Sequence, residues 1–235
     1  MKIRIYKSEN RGKADYGWLK ANYSFSFANY YNPEMHNFGK LRVLNDDYIA
    51  PYKGFDTHQH DNMEIITIPL SGALEHKDSM GTAQIIRKND VQFMSAGSGI
   101  LHSEFSAYGD GMTNILQIWI YPKLRNIEPK YLQITLNPES RKNKLDTFIS
   151  PTENTPLTIN QDAFLSLADI DKGFELKYEV NFENNGLYIF VIEGKIEIED
   201  NLLYTLNIRN VKDCSGNLIE ESNLTFGKGK APSFH

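Results

Sequence analysis

Short runs of β-forming residues, cut apart by turn residues at near-regular intervals, constrain this chain more than any other feature. Residues 65–68, 83–86, 91–94, 116–120, 131–136 and 188–192 are such runs. Ser71-Gly72, Met80-Gly81, Asn89-Asp90, Gly97-Ser98-Gly99 and Glu193-Gly194 punctuate them. Strands spaced in this way point to an all-β sandwich or barrel, and helical periodicity is weak. The 235 residues suffice for one large domain or two smaller ones, with a core that needs no staples. The stretch from Pro138 to Pro156, rich in Pro, Asn, Lys and Ser, reads as a connector and puts the domain change near residue 140.

Two segments carry residue types that bind metals. His58-Gln59-His60 and His102-Ser103-Glu104 each hold two such side chains at i and i+2. In a strand that spacing puts both on one face. If the two strands are neighbours, three imidazoles and a carboxylate converge on one point. This set suits a divalent transition metal: iron, copper, nickel, zinc or manganese. The glycines of Gly97-Ser98-Gly99 allow a sharp turn just before the second motif.

Spacing alone does not choose the carboxylate. Glu64 shares the parity of His58 and His60 if the strand runs straight, either as a ligand or as a hydrogen-bonded neighbour. Asp56 shares it on the other side, where loop solvation is the simpler role. His36 reads as structural. His76, within Glu75-His76-Lys77-Asp78, reads as exposed or paired with a carboxylate, and terminal His235 is set aside.

Composition narrows the partners. With 25 basic against 30 acidic residues the net charge is −5, which leaves no basic footprint for nucleic acid. Arg87-Lys88 and Arg141-Lys142-Asn143-Lys144 read as solvated loop charges. The single cysteine, Cys214, forbids an intrachain disulfide and reads as an ordinary loop residue. The opening residues lack the apolar core of a secretory signal, and no apolar run approaches the roughly 18 residues of a membrane span. The expectation is a soluble, cytoplasmic protein with no membrane and no direct nucleic-acid contact.

A faint internal repeat appears when Gly72 is laid on Gly194 without gaps. Residues 65–75 then fall on 187–197, each a strand, a turn glycine and a returning strand. In this register His58 meets Val180 and His60 meets Phe182, so the second copy has apolar residues where the first has ligands.

Longer motifs resemble the pirin family. They are Gly17-Trp18-Leu19-Lys20, residues 25–33, residues 38–43, His58-Gln59-His60-Asp61-Asn62-Met63-Glu64-Ile65, residues 72–79, residues 90–100, His102-Ser103-Glu104 and residues 116–120. The resemblance is dense over about the first 120 residues and thinner beyond, where residues 167–170 and 188–194 carry it. It implies a bicupin, two β-barrel domains (double-stranded β-helix, jelly-roll-like) in one chain. A metal-binding domain would span 1–140, and a metal-free cupin-like domain 141–235. It implies His58, His60, His102 and Glu104 as ligands, favouring Glu104 over Glu64, with iron as the first occupant and copper, nickel, zinc, manganese or cobalt as others. It further implies quercetin 2,3-dioxygenase activity, in which a flavonol-like aromatic enol is opened with O2 and Glu104 accepts the substrate's hydroxyl proton. The alternative it carries is a non-enzymatic, metal- or redox-sensing protein that binds a regulatory protein partner. After about Val211 the expected closing strand of the second barrel is not evident, and residues 223–235 are polar and glycine-rich.

Overall fold

The computed structural model describes residues 3–202 and 205–210, with side chains through residue 198. The tail, Cys214 and His235 lie outside the described residues. The chain divides into two compact units: residues 4–141 with 146–167, and residues 1–3, 142–145 and 168–235.

The first unit opens with β1 (Gly12–Asp15), β2 (Leu19–Tyr23), β3 (Leu41–Ile49), β4 (Gly54–His60), β5 (Glu64–Ser71) and β6 (Ala73–Asp78). It continues with β7 (Ala83–Arg87), β8 (Asp90–Ser95), β9 (Ile100–Ser106), β10 (Thr113–Ile120) and β11 (Lys130–Thr135). These strands make a seven-stranded sheet, ordered β1-β2-β3-β10-β5-β8-β11, and a four-stranded sheet, ordered β4-β9-β6-β7. All pairings within the two sheets are antiparallel. Strand β8 is buried along its whole length and β5 and β10 nearly so, as central strands covered on both faces require. No α-helix occurs among the described residues, only one-turn 3₁₀ segments at Ser8–Asn10 and Pro138–Arg141. None is long and apolar enough to cross a membrane.

The sheets face each other across an interior of two characters. At one level Leu19, Ala21, Tyr23, Ile49 and Ile115 of the large sheet meet Leu74 and Ile86 of the small one. Tyr23 also begins the neighbouring row, where it continues in register through Asn45, Gln117, Thr67, Gln92 and Gln133 across five further strands. Opposite this mostly polar row the small sheet places Glu104, which accepts from both Gln117 and Thr67. One row further the large sheet turns apolar again, with Val43, Trp119, Ile65 and Met94 in register. The site occupies this polar band and the mouth next to it.

The connector expected from Pro138 to Pro156 contains a strand. Residues β12 (Asp146–Ser150), β13 (Leu157–Thr158) and β14 (Leu165–Leu167) form a small sheet ordered β13-β12-β14. Phe148 and Ile149 are buried in it, but two adjacent apolar residues are too short a signal to read from sequence. Hydrogen bonds from Lys123 and Leu124 to Asn160, and from Gln161 to the Tyr121 carbonyl, tie this segment to the rest of the first unit.

In the second unit β15 (Glu175–Glu179), β16 (Ile196–Leu202) and β17 (Thr205–Asn210) pair antiparallel in the order β15-β17-β16. Val180 and Phe182 lie just past the end of β15, outside any strand. The run at 188–192, expected as a strand, carries no strand assignment.

Candidate metal centre

The site is built where β4, β9 and β6 lie side by side. His58 pairs with His102, and His102 pairs with Asp78; in the next row Glu104 pairs with His76. Period-two alternation turns His102 and Glu104 inward from β9 and leaves Leu101 on the outer face. A register shift between Phe55 and His58 inserts a bulge into β4. The bulge lets Phe55 pack against the apolar cluster while His58 and His60 still face the site. It also presents the carbonyl of Asp56 to the His58 ring at 2.7 Å from Nδ1. A carbonyl can only accept, so the His58 proton sits on Nδ1 and its Nε2 lone pair is free.

Three glycines make this packing possible. A side chain at Gly54 would collide with the Glu104 carbonyl, so β4 approaches the backbone of β9 only because residue 54 lacks one. Gly97 and Gly99 have φ of 49° and 137°, the left-handed geometry the turn before β9 demands.

The three histidines come together. Ring centroids of His58 and His102 are 4.4 Å apart, those of His58 and His60 4.8 Å, and those of His60 and His102 4.9 Å. One ligand atom from each lies within 4.8 Å of the other two. Glu104 joins through His102: His76, His102 and Glu104 form a second triad of the same closeness. His58 and His60 are half-buried at the mouth, whereas His102 and Glu104 are buried beneath them.

Glu64 is not in either triad. The strand does not run straight from His60: Asn62, with φ of 47°, turns the chain into β5 of the other sheet. There Glu64 accepts from Ser95 Oγ at 2.6 Å and from the Asn160 amide at 3.2 Å, anchoring the 146–167 segment. Burial raises its pKa, against the Ser95 and Asn160 hydrogen bonds and Lys130. The Asp56 side chain is exposed, and His36 is exposed beside the Tyr31 ring.

Sequence reasoning missed two participants. Of the two readings of His76, exposed or paired with a carboxylate, the structure shows the second: the ring is fully buried, with Nε2 3.0 Å from Asp78 Oδ2, and its Nδ1 also lies 3.4 Å from His102 Nδ1. His76-Lys77-Asp78 has the same i, i+2 spacing as the other two motifs, a signal that the flanking charges masked. Those charges lie on the outer face, where Lys77 pairs with Glu75. Burial pushes Asp78 up, but hydrogen bonds from His76, Thr82 and Met80 together hold it below the usual carboxylate value. Gln117 is the second. Its Oε1 accepts from Trp119 Nε1 at 3.1 Å, which directs its Nε2 onto Glu104 Oε2 at 2.8 Å. The Trp119 ring in turn stands edge-on to His60, centroids 4.8 Å apart.

The electrostatics suit a cation. Burial, then His58, pulls His60 down to about 4. Burial, then His58, His60 and His76, pulls His102 down to about 2. Both rings are therefore neutral at pH 7, the form that ligates. Burial raises Glu104 against the opposing pull of His76, the Gln117 bond, His58 and Thr67. An ionised carboxylate here is costly without a positive partner. His102 Nε2 is buried with no hydrogen-bond partner, an orphan that a ligated cation would satisfy. With Nδ1 engaged by His76, Nε2 is the nitrogen left for the His58 and His60 side. The residues present thus fit a divalent metal.

Comparison with known proteins agrees with this geometry. Residues 5–120 match the family model described as Pirin, and residues 147–213 match the one described as quercetinase C-terminal cupin domain. The chain is 37% identical over 197 residues to a quercetin 2,3-dioxygenase of Escherichia coli, covering 83% of this chain and 84% of that protein. It is 39% identical over 204 residues to a pirin-like protein of Caulobacter vibrioides, covering 86% and 87%. Among solved structures it is similar to the bacterial pirin YhhW from Escherichia coli in complex with nickel(II), with a TM-score of 0.78, 32% identity and coverage of 88% and 93%.

Proposed function

The chain belongs to the pirin family, and from that premise we propose that it is a metal-dependent dioxygenase of the quercetin 2,3-dioxygenase type, opening a flavonol-like aromatic enol with O2. The observation that carries this reading is the convergence of His58, His60 and His102, with Nε2 of His102 buried and unpartnered and Glu104 joined to His102 in a second triad. The proposed ligands are His58, His60, His102 and Glu104. Iron is the first candidate metal, and the nickel-bound relative supports other divalent ions at such a site. The metal is assigned to the domain of residues 1–140. The domain of residues 141–235, with Val180 and Phe182 at the positions matching His58 and His60, serves as scaffold.

When bound, the metal supplies Lewis-acid stabilisation of a deprotonated substrate hydroxyl and redox chemistry with dioxygen. The chain's own residues do the rest. Trp119, edge-on to His60 and to Phe27, forms an aromatic wall at the mouth that suits a flat aromatic substrate. Glu104, bound or briefly released as a ligand, is the proton acceptor. Its Oε2 is occupied by Gln117, whereas Oε1 has only the 3.4 Å contact from Thr67, so the substrate's hydroxyl proton passes to Oε1. Burial favours the protonated form of this carboxylate and so helps it hold that proton.

The test is aerobic turnover of a flavonol, followed by loss of its absorbance, with the protein loaded in turn with each first-row divalent metal. Metal-dependent turnover is expected, and it should vanish in His58→Ala and His102→Ala. Metal retention without turnover under any loading would sink the dioxygenase reading in favour of a non-enzymatic metal sensor with a protein partner.

A further inference from the structure

We propose that Asp78 and His76 are positioning residues that set the tautomer of His102, through a directed chain of hydrogen bonds that begins on two backbone amides. The inference rests on the metal reading of the site only for its effect on affinity. The amides of Met80 and Thr82 both donate to Asp78 Oδ1, at 2.9 and 3.0 Å. This fixes the carboxylate and leaves Oδ2 facing His76 Nε2 at 3.0 Å. A carboxylate only accepts, so His76 carries a proton on Nε2 and, as a neutral ring, a lone pair on Nδ1. That lone pair faces His102 Nδ1 at 3.4 Å, so His102 must be the donor there. The His102 proton is thereby held on Nδ1, and Nε2, buried and without a partner, keeps the lone pair a metal needs. His58 reaches the same state by a shorter route, through the Asp56 carbonyl.

The chain has a direction, and one atom exchange reverses it. In Asp78→Asn the side-chain oxygen must stay on the Met80 and Thr82 amides, because an NH₂ group there would face two donors. The NH₂ then points at His76 Nε2 and donates to it. His76 must carry its proton on Nδ1 and donate to His102 Nδ1, which moves the His102 proton onto Nε2. The substitution keeps shape and volume and both turn hydrogen bonds, so a merely structural role for Asp78 does not move the His102 tautomer.

Long-range proton–nitrogen correlation spectra of the metal-free protein with isotope-labelled histidine, taken at mildly alkaline pH, read the tautomers directly. A nickel(II) titration against a competing chelator reads affinity. The wild-type protein is expected to show His102 and His58 protonated on Nδ1 and His76 on Nε2. Asp78→Asn is expected to move the His102 proton to Nε2 and to weaken nickel binding about 10–100-fold. A His102 proton on Nε2 in the wild type overturns the relay, whether or not any variant folds. So does a folded Asp78→Asn with both tautomer and nickel affinity unchanged. Absence of nickel binding by the wild type, with the expected tautomers present, overturns the metal reading and the affinity half of the relay while leaving the hydrogen-bond directions standing.

Discussion

Two levels of the same barrel interior, one row of side chains apart, are built on opposite principles. At one level Ile49 and Ile115 of the large sheet close on Leu74 and Ile86 of the small sheet, all fully buried and all apolar. At the next, Gln117 and Thr67 donate to Glu104, in register with Asn45 and Gln92. The first level gains by removing apolar surface from water. The second leaves Asn45 Oδ1, both amide atoms of Gln92 and His102 Nε2 buried without protein partners. Asp47, in register with Ala21 and Ile115 and so at the edge of the apolar level, is pushed up to about 8 by burial, then by Asp46 and Glu104. Stability therefore resides in the apolar level and is spent on the polar one, as expected where a site needs groups that a core does not.

That division makes ligand removal the strongest probe. His58→Ala and His102→Ala should each lower bound metal from near one equivalent to near zero, an affinity loss of roughly 100-fold or more, by elemental analysis after gel filtration. The metal-free His102→Ala protein should melt close to the metal-free wild type. Unchanged metal content in both variants would place the centre elsewhere.

Leu74→Ala should do the reverse. It opens a cavity at the apolar level and should cost about 2–5 kcal/mol in denaturant unfolding, with unchanged metal per folded molecule. A parallel loss of metal affinity would show that the two levels are not energetically separable.

The pH dependence sharpens the contrast because the two kinds of buried group carry opposite signs. The folded values of His60 and His102 lie at about 4 and about 2, below the unfolded value near 6.5, so the unfolded chain binds more protons in between. The stability of the metal-free protein should fall as pH drops below about 6.5, by about 3 kcal/mol from buried His102 at pH 4 and by less from half-buried, solvent-screened His60. Asp47, raised from 3.8 to about 8, should instead lose stability as pH rises from about 4 to 8, with no further loss above that. Thermal melts from about pH 4 to 9 in wild type and Asp47→Asn read both; a loss on the rise to pH 8 that persists undiminished in Asp47→Asn rules this carboxylate out as its source.

The smallest effect is expected from Thr67→Val. Its 3.4 Å contact to Glu104 is long, and its loss should cost less than about 1 kcal/mol. Turnover should shift only slightly, because Gln117 still holds the other carboxylate oxygen. A large drop would promote Thr67 to an essential partner of Glu104.

Much of the site was legible because its geometry is local. His58 with His60, and His102 with Glu104, follow from strand alternation alone, and the glycines at 97 and 99 signalled the turn that brings β9 in. Glu64 misled because parity counts only within one strand, and the turn at Asn62 passes it to the other sheet. His76 was hidden for a related reason: Glu75 and Lys77 made its segment look solvated, while alternation turned His76 and Asp78 inward. Gln117 could not be seen as a partner of Glu104, since the two stand on different sheets and meet only when the sheets close.

By itself, then, the sequence determined the strand character, the apolar and polar faces, the three histidines and their family, all of which rest on spacings of two residues or on contiguous motifs. The tertiary structure alone decided where Glu64 goes instead, which histidine stands behind His102, and which buried polar atoms lack partners. Those outcomes depend on register and on the facing of two sheets, where one bulge or turn reassigns every side chain beyond it.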